Sequence, residues 1–333
     1  MPPSTSIVIP AHNEAKRISK CLQALQHQTL RPQDYEIIVI DDGSEDDTAA
    51  VAAGHGAHII RQQNKGPAVA RNAGIDQARG EIILFLDADC VPEEHWAERL
   101  RAPIADGSAE GAVGRIVSRQ TRPVAALIQS ELDERYARAA NYERVDLLNT
   151  GNCGFKRDLL RKNRFDEAFR WIEDAELSFR LARGGHKMVF VQDAVVEHSH
   201  PETLRAYMLR KFRYASFAPS ASRLHPQKAL SDSRSAPSRR LQLLLVALAI
   251  ASAPAAFLSP WFGLLSLGCL AAGVLLSFPV YLRAGRRSFA LGLCAPLFIL
   301  IGNVAFLCGL LRGIAHICLP RSEKPAVGFS STL

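Results

Sequence analysis

Short apolar runs rich in β-branched residues alternate, through roughly the first two thirds of the chain, with stretches in which apolar residues recur at helical spacing. Ile7-Val8-Ile9, closed by Pro10, predicts a first strand, and Ile18, Cys21, Leu22 and Leu25 predict the helix after it. Residues 36–40 predict a second buried strand, 58–60 an edge-type third, and 82–86 a fourth. That fourth run is apolar throughout and too short for an ordinary helix, the pattern of a parallel strand covered on both faces. Between the strands, Ser44 with Asp47 resembles a capping box opening a helix that Gly54 stops, and 64–78 predicts a helix stopped by Gly80. Repeated strand–helix alternation implies an α/β class: a right-handed, doubly wound, Rossmann-like and mostly parallel sheet with helices on both faces.

Farther on, the pattern predicts a helix over 92–101, a strand over 112–118, a longer amphipathic helix over 123–144 and a small strand over 149–155. A helix running to Ala182 follows, then two short strands at 188–191 and 194–196, and a basic helix over 203–217. Residues 219–238 read as a polar linker. Beyond it the pattern changes. The uncharged runs 241–258, 261–282 and 289–311 are each about long enough for a hydrocarbon core of roughly 30 Å, with Pro254, Pro279 and Pro296 expected to kink them. Three spans are expected, with two spans and a re-entrant or interfacial segment as the alternative.

Charge sharpens this division. The net charge of +7 in 333 residues is concentrated in 205–240, where nine Lys or Arg face a single acid, Asp232. A basic segment just before apolar spans favours anionic lipid headgroups over nucleic acid, a solvated linker being the bland alternative. Arg239-Arg240 and the arginines at 283, 286 and 287 are expected to hold their flanks in the cytoplasm. The N-terminus shows no basic and apolar leader, and the seven cysteines form no Cys-x-x-Cys pair, so a reducing compartment is expected for the polar part.

Two of the predicted strands run directly into acid: Asp41-Asp42 after the second, and Asp87-Ala88-Asp89 after the fourth. In an open α/β sheet the carboxyl ends of the strands line the ligand crevice. Alternation places Asp87 and Asp89 on one side, a hard oxygen pair suited to Mg2+ or Mn2+ bridging phosphates. Taken alone, the two could equally cap the next helix.

The motifs in order are Ser6-Ile-Val-Ile-Pro-Ala-His-Asn-Glu14, Val39-Ile-Asp-Asp-Gly-Ser44, Asn64-Lys-Gly66 with Ala70-Arg-Asn-Ala-Gly74, Asp87-Ala-Asp89 and Glu173-Asp174. This order strongly resembles the family 2 inverting glycosyltransferases of GT-A fold, over about residues 5 to 215. The resemblance implies a nucleotide-sugar donor and a divalent cation, Mg2+ or Mn2+. It implies a nucleoside pocket at Pro10, Glu14 and Asp42, nearby donors in Lys65 and Arg71, Asp87 at the ribose or metal, and Asp89 at the metal. His198 stands where many such enzymes supply a further metal ligand, with His200 as its rival. Asp174 matches the family's general base. The Gln-x-x-Arg-Trp of processive members is absent; Arg210-Lys-Phe-Arg-Tyr214 is the nearest match, and it leaves Arg213 as a possible diphosphate contact.

These implications divide the chain into a GT-A domain over 1–201, a basic interfacial helix and linker over 202–240, a transmembrane region over 241–319 and a tail over 320–333. The expected activity is transfer of one sugar to a membrane-held saccharide or lipid-linked acceptor at the cytoplasmic membrane, with the catalytic domain facing the cytoplasm. Transfer to polyprenyl phosphate is the alternative. A nucleotidyltransferase would want a Gly-rich basic loop after the first strand, and residues 10–14 offer none.

Overall fold

The computed structural model describes residues 3–146, 148–169, 171–224 and 237–318. Two compact units emerge: residues 1–119 with 139–199, and residues 120–138 with 200–333. The continuous domain expected over 1–201 is therefore interrupted by one helix.

The first unit is an eight-stranded sheet. Its strands are β1 (Thr5–Ala11), β2 (Tyr35–Asp42), β3 (His58–Gln62), β4 (Ile82–Leu86), β5 (Cys90–Pro92), β6 (Gly111–Val117), β7 (Asn152–Lys156) and β8 (Met188–His198). Their order is β3-β2-β1-β4-β7-β6-β8-β5. The first four strands pair in parallel, as alternation predicted, and β6 pairs in parallel with β8. β7 runs antiparallel to both its neighbours, and β5 runs antiparallel to β8. The helix between β6 and β7, α5 below, groups with the second unit. β7 returns beside β6 in the opposite direction.

The helices of this unit are α1 (Ala15–Gln26), α2 (Thr48–Gly54), α3 (Pro67–Gln77), α4 (Trp96–Ala105), α6 (Arg157–Lys162) and α7 (Glu173–Arg183); α5 (Pro123–Ala139) falls between α4 and α6. Every residue of β4 is buried, so its uninterrupted apolar run has a direct cause. Phe85 sits edge-on to Phe155 and Phe165 within the core on one face, while Ile18, Cys21, Leu22 and Leu25 bury one side of α1. The core is thus assembled from the periodicities visible in the sequence.

Four local expectations are corrected. Pro10 lies inside β1 rather than closing it. The Ser44 capping box does not form: α2 starts at Thr48, whose N–H donates to Asp46 Oδ1, while the Ser44 hydroxyl accepts the N–H of Asn13. The helix expected over 92–101 begins only at Trp96, because Cys90–Pro92 pair with β8 as β5. The two short strands expected after 188 are one strand. The pairing with β6 jumps from Val113↔Phe190 to Arg115↔Val195, so the polar Gln192 and Asp193 ride on a bulge rather than a break. Gly114 permits this bulge, since a Cβ there would collide with the Ala194 carbonyl oxygen. Asn152 ties the region together, donating to the carbonyls of Arg115 and Ala194 and accepting the indole N–H of the fully buried Trp96 at 2.8 Å.

The second unit comprises α5, α8 (Leu204–Leu224), α9 (Pro237–Ser252), α10 (Pro260–Leu276), α11 (Phe278–Arg287) and α12 (Phe289–Cys318). α8 packs lengthwise on α12: Cβ atoms at Gly302, Gly309 and Gly313 would meet the Tyr207 hydroxyl, the Phe212 carbonyl and the Ser216 carbonyl. Tyr207 also stacks on Phe298 at 4.2 Å. The basic helix is therefore docked on an apolar one, and it runs to Leu224 with Pro219 inside it, where the sequence suggested a linker. The rest of that linker, 225–236, lies outside the described residues. Two helical stretches, Ser238–Phe257 and Phe289–Cys318, are long and apolar enough to cross a membrane, and three if α10 and α11, bent by 56° at their junction, count as one span. Pro254 and Pro279 sit at breaks, whereas Pro296 lies within the unbroken α12. Phe257 is 97% and Phe289 85% exposed, an apolar surface that water alone does not favour.

Candidate active site

The site forms at the carboxyl ends of β1, β2 and β4 and at the last residue of β8. Parallel pairing of β1 with β2 sets Pro10 beside Ile40, and the chain beyond each strand turns toward the same end of the sheet. There Asp42 is buried and fully engaged: Oδ1 accepts from Gln62 Nε2 at 2.6 Å and the Lys65 N–H at 2.9 Å, and Oδ2 accepts the Gly66 N–H at 2.8 Å. Asp42 thereby shapes the 64–66 turn, in which Gly66 takes a φ of 97° that a side chain would strain. Lys65 contributes its backbone here, and its side chain is exposed.

Glu14 follows β1 and is gripped by Arg17, whose Nε and Nη2 donate to its two oxygens at 2.6 and 2.7 Å. Arg17 Nη1 reaches Asp89 Oδ2 at 3.4 Å. The same Asp89 oxygen lies 3.3 Å from His198 Nε2. The two meet because antiparallel pairing of β5 with β8 sets Cys90 opposite His198. Burial pushes the Asp89 carboxyl up, but the hydrogen bond and charge of His198, with Arg17, more than offset this and hold it below the ordinary range. Burial and the charges of Asp89 and Asp87 hold Glu14 above the ordinary range in spite of Arg17. Acids crowded to this degree favour a cation.

A second line of contacts runs from Asp87. Its Oδ1 accepts from Arg71 Nη2 at 3.1 Å, and Arg71 Nη1 donates to Glu173 Oε1 at 2.6 Å. Arg71, expected as a donor near the nucleoside pocket, is only 4% exposed and forms a buried bridge between two carboxylates. Burial pushes the Glu173 carboxyl up to about 7, with the Asp174 charge adding to the rise against the pull of Arg71. Asp174 stands in the first turn of α7, its Oδ1 accepting the Ala175 N–H at 2.7 Å. The residue before this acidic pair, Ile172, has a φ of 71°, a left-handed conformation costing a β-branched residue about 1–2 kcal/mol. The pairing of Leu86 with Asn152 brings Gly151 against Asp87, where a Cβ would lie 2.6 Å from Oδ2.

The expected residues thus fall into connected groups: Glu14 with Asp89 and His198, and Asp87 with Arg71 and the Glu173-Asp174 pair. Arg17 was missed as a member, and Glu173, seen only as half of the Glu-Asp motif, enters through its ion pair with Arg71, 102 residues away. His200, the rival ligand, belongs to the second unit, where its Nε2 meets Gln129 Oε1 at 2.9 Å. Arg213 also belongs to that unit, half-buried on α8. Among the described residues no group of three or more His, Cys, Asp or Glu could hold a metal. Asp89 and His198 are a two-residue oxygen and nitrogen set, which suits Mg2+ or Mn2+ when phosphate and water complete the shell.

Comparison with known proteins bears on the family and the fold. Over 103 residues the chain is 41% identical to glycosyltransferase AglE of Haloferax volcanii, covering 29% of this chain and 34% of that protein. Over 239 residues it is 30% identical to the pre-mycofactocin glycosyltransferase of Mycobacterium tuberculosis, covering 67% and 48% of the two chains. These alignments span about a third and about half of the relatives' own lengths. Among solved structures, the mannosyltransferase PcManGT from Pyrobaculum calidifontis, in complex with GDP-Man and Mn2+, shares the fold with a TM-score of 0.59 at 19% identity, covering 94% and 88% of the chains. The model of the family described as Glycosyl transferase family 2 matches residues 6–164, and that part of the chain is a glycosyltransferase family 2 domain of GT-A fold.

Proposed function

We propose that the protein is a membrane-anchored inverting glycosyltransferase that moves one sugar from a nucleotide-sugar donor to a membrane-held saccharide or lipid-linked acceptor. The observation that carries this is the convergence of Asp87, Asp89 and His198 at one end of the sheet, with Glu173-Asp174 tied to Asp87 through Arg71. In this reading Pro10, Glu14 and Asp42 border the nucleoside pocket. The carboxylate of Asp42 organises the 64–66 turn, and Lys65 offers its free ammonium to the donor. Asp89 and His198 would hold the divalent cation, whose chemistry when bound is to neutralise charge on the departing diphosphate. Asp87 is 39% exposed on its side chain, which leaves it an oxygen for the ribose or the cation besides the one turned to Arg71. Asp174 accepts the proton of the acceptor hydroxyl as its oxygen attacks the anomeric carbon. The PcManGT complex with GDP-Man and Mn2+ supports a nucleotide-sugar and a divalent cation here. The apolar helices of the second unit support a membrane location, with the catalytic domain on the cytoplasmic side where nucleotide sugars are made.

The deciding experiment is turnover by the detergent-purified protein against a panel of nucleotide sugars with Mn2+, Mg2+ or EDTA. Transfer or slow donor hydrolysis is expected with one donor and a metal, abolished by EDTA and by Asp89→Ala. Metal-independent turnover, or full activity of Asp89→Ala, sinks the metal site.

Gly151→Ala tests how closely Asp87 is held. The added methyl group would occupy space 2.6 Å from the carboxylate and push it off the Arg71 side. Displacement on this scale is expected to lower kcat/KM about a hundredfold, with the fold retained by circular dichroism. Wild-type kinetics from this variant would show that Asp87 has no fixed working position.

A further inference from the structure

The second unit contains a small, open-mouthed cavity of about 70 Å3 that the reaction above does not use. Its lining divides between charged residues, Arg135 and Arg138 with Glu131 and Glu134 from α5 and Arg239 from α9, and apolar ones, among them Leu276, Val280 and Ile299 from α10, α11 and α12. Such a division suits a molecule with an anionic head and a hydrocarbon body.

The charges around the cavity do not balance. Glu131 is occupied by Lys211 Nζ at 2.9 Å and the Tyr207 hydroxyl at 3.2 Å. Glu134 takes Arg283 at 2.8 Å and Arg138 at 3.3 Å. Among the described residues no carboxylate pairs with Arg135 or Arg239, and Arg135 Nε is buried with no hydrogen-bond partner. Lys211 registers the excess: desolvation, with the like charges of Arg239 and Arg135, holds its ammonium down to about 7 even beside Glu131. Glu131, already held by Lys211, is the carboxylate whose charge Arg239 and Arg135 share at longer range, so basic groups outnumber acids here; a planar guanidinium fork with unused N–H groups matches phosphate oxygens.

We infer that the cavity lined by Arg135, Arg138 and Arg239 binds the phosphate of a membrane lipid, whose chains lie along Leu276, Val280 and Ile299. The shared chemistry is a lipid-borne phosphate, from either a bulk anionic phospholipid or a prenyl phosphate. The site rests on the membrane placement proposed above, but not on turnover.

The test is direct binding by the full chain in a neutral detergent. Short-chain phosphatidylglycerol, farnesyl phosphate and inorganic phosphate are compared for wild type, Arg135→Gln/Arg239→Gln and Arg135→Lys/Arg239→Lys. At least one lipid phosphate is expected to bind wild type more tightly than inorganic phosphate does. The Gln pair is expected to weaken it about a hundredfold, with the Lys pair within about tenfold of wild type. Preference for farnesyl phosphate assigns the site to an acceptor-type lipid, and preference for phosphatidylglycerol to the surrounding bilayer. Equal affinity of wild type and the Gln pair, or inorganic phosphate binding as tightly as either lipid, overturns the inference. A protein that binds lipid here yet transfers no sugar refutes the proposed reaction and leaves the site standing.

Discussion

Asp174→Asn is expected to lower kcat by about two to four orders of magnitude, the usual contribution of a positioned general base, while KM for the donor stays within about twofold. The substitution keeps an acceptor oxygen for the Ala175 N–H, which Asp174 Oδ1 now accepts at 2.7 Å, so the first turn of α7 should be retained. What is lost is the capacity to take a proton. Glu173→Gln provides the comparison, because Glu173 is buried and faces Arg71 rather than open space. A catalytic Asp174 separates the two in steady-state kinetics: its variant loses kcat alone, whereas the Glu173 variant changes thermal stability as well. Full activity in Asp174→Asn, with kcat lost in Glu173→Gln, would transfer the base to Glu173.

The second large effect is on stability. Arg71→Met should destabilise the first unit by about 3–5 kcal/mol, since removing one member of a buried ionic group strands the others. Arg71 is the contact recorded between Asp87 and Glu173, at 3.1 and 2.6 Å, and its guanidinium also lies 5.8 Å from the centre of the Phe165 ring. Met replaces the stem and the ring contact but leaves Glu173, which is 7% exposed, beside Asp174 without a counter-charge. The midpoint of thermal unfolding in detergent should fall by roughly 10 °C. Adding Glu173→Gln to Arg71→Met should recover a substantial part of that loss, because the stranded charge is gone. A midpoint unchanged by Arg71→Met would show that the network adds nothing to the fold.

The sheet was legible where burial dictated composition. Residues 82–86 read as a strand because each side chain is buried on one face or the other, and α1 was legible from Ile18, Cys21, Leu22 and Leu25. The antiparallel course of β7 was not, because a strand's direction is set by its pairing partners and not by its own apolar pattern. The Ser44 cap failed because Asn13, 31 residues away, competes for its hydroxyl. The acidic motifs that hold Asp87, Asp89 and Asp174 stand in the sequence in order. The partners that decide how they are held were not legible: Arg17 meets Asp89 across 72 residues and Arg71 meets Glu173 across 102, through single side chains that leave no periodicity.

The pairing of Cys90 with His198 also bears on the order of events during synthesis. A nascent chain carries Asp87 and Asp89 long before the residue that completes their neighbourhood. That residue arrives at the end of a strand inserted between β6 and β5 in the finished sheet. Until β8 is in place, β5 lacks its partner and Asp89 its imidazole. The imidazole beside Asp89 is therefore supplied only once β8 is seated between β6 and β5.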